Sequence, residues 1–299
     1  MKKVLALLLV FVLALGVFAA CSKQDDGKET PQVDETAATE ESADGLQIAI
    51  PNDTTNEARA LSLLENLGVI KLKEGAGITA TILDIEENPH NIDFKEVEAA
   101  QLPGVLQDVD YAVINSNFAI DAGLTPATDA LALEGAYSAY GNIVAVKEGN
   151  EETDKTKALV AALESQKVAD FITEKYSGSV LSVVENPGDG FAEDVDYDAL
   201  AGETISVGAS PTPHAEILAV AKEILAEKDI TLNVVEFTDY VQPNNAVESG
   251  EVDANYFQHN PYLLDFNENN GTHINAVSYI HVEPLGIYGG KQTSLDPIK

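Results

Sequence analysis

Two stretches, LQIAIPNDTTNEARAL (46–61) and TISVGASPTPHAEIL (204–218), share one grammar: an apolar strand, a proline-containing loop, then a helix. In the first, LQIAI reads as a buried strand and Pro51-Asn52-Asp53 turns the chain. Apolar residues at helical spacing then run to Gly68, which closes the helix. The echo continues further on, where DVDYAVINSN (108–117) and EVDANYFQHN (251–260) each pair an acidic turn and a short strand with an asparagine-containing exit. Repeated strand–loop–helix units predict two α/β lobes, each a mostly parallel sheet flanked by helices.

Working outward, the first lobe is expected at 45–141, with further strands at ITATILDI (78–85), around FKEVEA (94–99) and at YAVIN (111–115). A short helix is expected near 102–107, and another starts at NFAIDAG (117–123). The second lobe is expected at 142–299. It opens with the strand NIVAVK (142–147) and a helical stretch at about 153–176, and an acidic, Gly- and Pro-containing connector follows at 182–203. After the restart at 204, strands are expected at 231–237, 252–257 and 274–282. Short helices are expected near 242–248 and 261–267, and GIYG (286–289) closes the lobe. A return of the tail to the first lobe is left open.

The N-terminus reads differently. Lys2 and Lys3 precede an apolar run from Val4 to Ala20, a secretory signal peptide (1–20) by charge, length and order. It ends in Phe18-Ala19-Ala20-Cys21, which resembles a bacterial lipoprotein processing site, with Phe18 where an aliphatic residue is usual. Acylation of Cys21, the one cysteine, would anchor the chain to the extracytoplasmic face of the cell membrane without spanning it. Residues 21–44 carry eight acids and two lysines with almost no large apolar side chains, the composition of a disordered tether.

Charge excludes some functions. With 17 basic and 50 acidic residues, the formal charge is −33. Such a surface repels nucleic acid, whose binding rests on neutralising phosphates. A zwitterion meets no such objection. A nucleophile elbow and a phosphate loop are both missing, so no enzyme is expected. The five histidines show neither an i,i+4 pair nor a compact cluster, although His281 and Glu283 lie on one side of a strand. Neither a metal nor a cofactor is expected, and a metal-binding surface lipoprotein is the nearest rival.

Long motifs carry a resemblance. SPTPHAEIL (210–218), VVEFTDYVQPNNAV (234–247), DANYFQHNPYLLDFN (253–267), HVEPLGIY (281–288) and IAIPNDTTNEARAL (48–61) resemble the methionine-binding lipoproteins of ABC transporters, the NlpA-type lipoproteins. So do EAAQLPGVLQDVDYAVINSNFAIDAGL (98–124) and GNIVAVKEGNE (141–151). In that family the block found here at 203–290 ordinarily precedes the block found here at 46–180. The halves therefore look circularly permuted, with 182–203 joining the usual termini.

The resemblance implies a two-lobed, periplasmic-binding-protein-like (type II) fold with the ligand in the interlobe cleft. It also implies L-methionine or a close analogue as ligand, an ABC permease and ATPase as partners, and a monomer. D-methionine, a methionine-containing peptide or another apolar amino acid are the alternatives. Arg59 is expected to hold the ligand carboxylate through two parallel hydrogen bonds. Asn115 and Asn142, at strand ends, suit an ammonium or a carboxylate. Tyr240, Phe257 and His259 match the family's aromatic walls around a thioether. Asn56, Asn117 and His214 are weaker candidates.

Overall fold

The computed structural model describes residues 45–135 and 139–299. The expected signal peptide (1–20), acylated Cys21 and tether (21–44) lie outside the described residues. No helix among the described residues is long and apolar enough to cross a membrane.

Two sheets form the two lobes, the type II periplasmic-binding-protein-like arrangement expected. The first has the order Asp93–Val97, Gln47–Pro51, Tyr111–Ile114, Gly286–Gly289, Ala132–Leu133. The second runs Thr231–Glu236, Thr204–Ala209, Ala254–His259, Gly141–Lys147, Ile274–Val282, Leu181–Ser182. Each sheet is mixed, with most strands running one way: Gly286–Gly289 is the one reversed in the first, and Gly141–Lys147 and Leu181–Ser182 in the second. The strand–loop–helix repeats make parallel pairs, Gln47–Pro51 with its two neighbours and Thr204–Ala209 with its two. The strands that follow each crossing between lobes enter antiparallel.

Helix Thr54–Asn66 begins as its sequence dictates. The Asp53 side chain accepts the Asn56 backbone N–H, and the buried face of Ala58, Leu61 and Leu64 packs on Ile48 and Ile50. In the second lobe, Val144, Leu159, Leu163, Val207, Leu218 and Leu225 share one core.

Three expectations need correction. ITATILDI (78–85) is not a strand. It folds as two short 3-10 turns, Gly77–Thr79 and Ile82–Asp84, because Thr81 and Asp84 cap each other and Glu57 accepts the Ile82 backbone N–H. Ile78 and Leu83 stay exposed. GIYG (286–289) does not close the second lobe: it pairs antiparallel with Tyr111–Ile114 in the first sheet. The tail follows it, burying Leu295 and Ile298 against Ile48 and Leu64.

The connector, finally, is docked and not loose. Gly188 pairs with Ser165, and Val195 and Leu200 enter the second core. The rings of Phe191 and Tyr197 meet at 5.5 Å, and the Tyr197 hydroxyl accepts the Ala192 N–H. Gly190 has a positive φ of 101°, and a Cβ there would lie 2.7 Å from Ile224 Cγ2. Gly190→Ala should therefore cost about 1–3 kcal/mol in thermal or denaturant unfolding. An unchanged midpoint would show the connector to be a slack strap.

Candidate functional site

The chain crosses between the sheets twice, between Ala132–Leu133 and Gly141–Lys147, and again between Ile274–Val282 and Gly286–Gly289. Beside these crossings the lobes line a cavity in the cleft between them. All seven expected ligand residues line it: Asn56, Arg59, Asn115, Asn142, Tyr240, Phe257 and His259. Ser116, Asn117, Gln258, Tyr262 and Glu283 complete the wall.

Strand register assembles much of this surface. Asn142, on a central strand, sits opposite His259 on one neighbour and His281 on the other. A bulge between Tyr256 and Gln258 shifts the ladder at Phe257, a device that re-aims side chains. His259 then caps helix Asn260–Asn270, its Nδ1 accepting the Tyr262 N–H at 3.1 Å. The ring proton therefore sits on Nε2, which points at Asn56 Oδ1 at 3.3 Å. Asn56 Oδ1 also accepts from Asn115 Nδ2 at 2.9 Å. Across the cleft the Tyr240 hydroxyl donates to Asn117 Oδ1 at 2.7 Å. Tyr240 packs on Phe118, Phe257 and Tyr262 with ring centroids 4.9–5.9 Å apart, forming an aromatic wall.

Two buried polar atoms of the lining residues have no protein partner: the acceptor Asn115 Oδ1 and the donor Asn117 Nδ2. Buried amide atoms rarely go unpaired, and each orphan costs stability. The pair points to a ligand carrying both a donor and an acceptor.

Arg59 differs from expectation. Its Nε and Nη2 edge already grips the Glu134 carboxylate, and Nη2 also donates to the Glu283 carbonyl at 2.8 Å. The guanidinium lies 4.5 Å from the centre of the Tyr140 ring. The two-bond grip proposed for a ligand carboxylate is therefore spent inside the protein. Nη1 is the arm for which no partner was found among the described residues.

Glu283 joins Ser116, Gln258 and Tyr262 as lining residues that the sequence did not single out for the site. It is buried, and burial raises its carboxyl above the usual carboxylate range against a downward pull from nearby Arg59. Its Oε1 accepts from His281 Nε2 at 2.8 Å and lies 3.3 Å from His214 Nε2. Among the described residues this trio is the one group whose metal-ligating atoms gather within 4.8 Å. The hydrogen bonds account for the grouping without an ion. The His281-x-Glu283 spacing on one strand face was the available signal. His214 joins from a distant segment, which periodicity could not show.

Burial pushes both His214 and His281 down to about 3, so both rings are neutral near pH 7. An unfolded chain protonates such rings from about pH 6.5 downward, and the native state resists until far lower. Their contribution is full above that pH and is lost as pH falls, by up to about 1.4 kcal/mol per pH unit per ring. His281→Gln should thus lose stability less steeply than the native protein between pH 6.5 and 4. Parallel melting curves would contradict the buried, neutral assignment.

A family model described as NlpA lipoprotein matches residues 3–184 and 205–299. The chain belongs to the NlpA lipoprotein family. This NlpA lipoprotein is similar to the membrane lipoprotein TpN32 of Treponema pallidum, 48% identical over 134 residues that make up 45% of this chain and 50% of that protein. It is 41% identical over 144 residues to the D-methionine-binding lipoprotein MetQ of Escherichia coli, covering 48% of this chain and 53% of MetQ. The chain thus spans about half the length of the curated relatives it matches. Among solved structures, a nutrient binding protein from Burkholderia cenocepacia bound to methionine is 49% identical, with a TM-score of 0.45. The match covers 46% of this chain and 58% of that one.

Proposed function

We propose that this NlpA lipoprotein is an extracytoplasmic solute receptor that captures L-methionine, or a close analogue, by closing its lobes and delivers it to an ABC importer. The observation that carries this reading is the mixed lining of the cavity. It holds opposite charges, Arg59 and Glu283, with the orphan acceptor Asn115 Oδ1 and the orphan donor Asn117 Nδ2. It also holds the rings of Tyr240, Phe257, Tyr262 and His259. A free α-amino acid with an apolar side chain is complementary to both sets. Arg59 Nη1 and Asn117 face its carboxylate, Glu283 and Asn115 its ammonium, and the rings a thioether, at about 0.3–1.5 kcal/mol per sulfur–ring contact.

Lobe closure follows from where the contacts lie. Tyr240 and His259 of one lobe already touch Asn117 and Asn56 of the other. A ligand touching both sides adds bonds that exist in the closed form alone, which biases a hinge equilibrium. In this reading Cys21 carries the membrane anchor, no chemistry is catalysed, and the receptor works as a monomer. The permuted order belongs to the same proposal: the family matches run on either side of 185–204 and leave out that stretch. The cited relatives' names support methionine as the ligand, and one of them specifies the D isomer.

A thermal-shift screen of the chain lacking residues 1–21, refolded to strip bound ligand, tests the reading. Free amino acids of both hands and simple dipeptides form the panel. Ligand at about 100 times its dissociation constant should add about 2.7 kcal/mol, with L-methionine giving the largest shift. A larger shift with D-methionine or a dipeptide would move the ligand within the class, and no shift with any would overturn the receptor reading.

A further inference from the structure

We propose that Tyr256, His281 and His214 form a relay that holds the Glu283 carboxylate charged and aimed into the cavity as the counter-ion of the ligand's ammonium. The proposal rests on the amino-acid reading above and deepens it.

The geometry is directional. Among the described residues the Tyr256 hydroxyl has a single partner, Nδ1 of His281. Its proton therefore points at that nitrogen, which fixes the His281 proton on Nε2, where it donates to Glu283 Oε1 at 2.8 Å. His214 approaches the same oxygen with its Nε2 at 3.3 Å and shares that nitrogen with Asn142 Oδ1 at 3.0 Å. The three rings hold one another edge to face: His214 to His281 at 4.9 Å, His214 to Tyr256 at 4.8 Å and Tyr256 to His281 at 5.3 Å. Tyr256, His214 and His281 are at most 1% exposed.

N–H groups that donate to a carboxylate favour its charged form, whereas burial opposes it. Burial is the larger influence on Glu283 and raises its carboxyl, so in this proposal the ring N–H donors and a bound ammonium together supply what its anion needs. Its one nearby full positive charge among the described side chains, Arg59, is already matched by Glu134. A ligand ammonium would supply the missing charge. A purely structural network would need no cavity-lining carboxylate, yet Glu283 and Asn142 both face the cavity.

The experiment compares affinities for L-methionine and 4-(methylthio)butanoate, the same molecule without its ammonium. Titration calorimetry is run on the native protein, Glu283→Gln, His281→Phe, His281→Gln and Tyr256→Phe, each checked for folding by its melting curve. The native protein should prefer methionine strongly. Glu283→Gln should shrink that preference by roughly tenfold or more, the effect of losing a hydrogen bond to a charged group. His281→Phe should shrink it similarly, Tyr256→Phe less, and His281→Gln, which keeps a donor where Nε2 stood, should restore it. If His281→Phe and Tyr256→Phe weaken both ligands equally, the rings are merely structural and the relay is overturned. If Glu283→Gln leaves the preference intact, the counter-ion assignment falls while the receptor reading stands. If the native protein binds neither ligand, both fall together.

Discussion

Arg59→Lys is expected to weaken methionine binding by about 30-fold or more, the span for disturbing a buried, hydrogen-bonded charge. Lysine keeps the charge and loses the planar fork. That fork does two jobs. One edge clamps Glu134, whose Oε2 also accepts the Leu285 N–H at 3.3 Å, so Arg59 ties together the two segments that cross between lobes. Nη2 reaches the Glu283 carbonyl on the second crossing. The remaining arm, Nη1, has no hydrogen bond to another described residue and is the one placed to meet a ligand carboxylate. An ammonium at this position cannot serve all three, and the hinge clamp and the ligand would compete for it. Titration calorimetry with L-methionine reads the loss directly. Unchanged affinity would retire Arg59 from the carboxylate site and leave it as a hinge clamp.

Phe257→Ala should cost about 3–5 kcal/mol of stability and most of the selectivity for a thioether. Phe257 is 3% exposed and packs with Tyr262, Phe266 and Tyr240 in a separate aromatic cluster. Its removal opens a void between the strand bulge and the helix capped by His259. Calorimetric unfolding should show the stability loss, and competition between methionine and norleucine should show the sulfur preference falling toward parity. A variant that melts as the native protein does, with selectivity intact, would place the ring outside the pocket.

The strand–loop–helix units were legible because local signals agree: apolar strands, proline loops and helical periodicity all point the same way in 46–61 and 204–218. The pocket residues were legible for another reason. They sit at strand ends and helix starts, inside long motifs that carry a family resemblance. What failed was non-local or hidden in polar sequence. Residues 78–85 look like a strand by apolar and β-branched content, yet the Thr81–Asp84 caps and the Glu57 bond favour turns. GIYG is a strand as read, but its sheet depends on pairing with Tyr111–Ile114, which no local pattern encodes. The connector hides Val195, Tyr197 and Leu200 among acids. The Arg59–Glu134 clamp and the His214–His281–Glu283 trio join residues far apart in the chain, so spacing could not reveal them.

The central claim is that methionine lies in the interlobe cavity with its sulfur against the aromatic wall. The chain's one methionine is Met1, so a chain lacking residues 1–21, crystallised with selenomethionine as ligand, holds selenium nowhere else. Anomalous diffraction then locates the ligand atom itself. A single strong peak is expected about 5 Å from the rings of Tyr240, Phe257 or Tyr262, with the amino-acid backbone density toward Arg59 and Glu283. A peak outside the cavity, or a cavity that stays empty at saturating ligand, would contradict that claim.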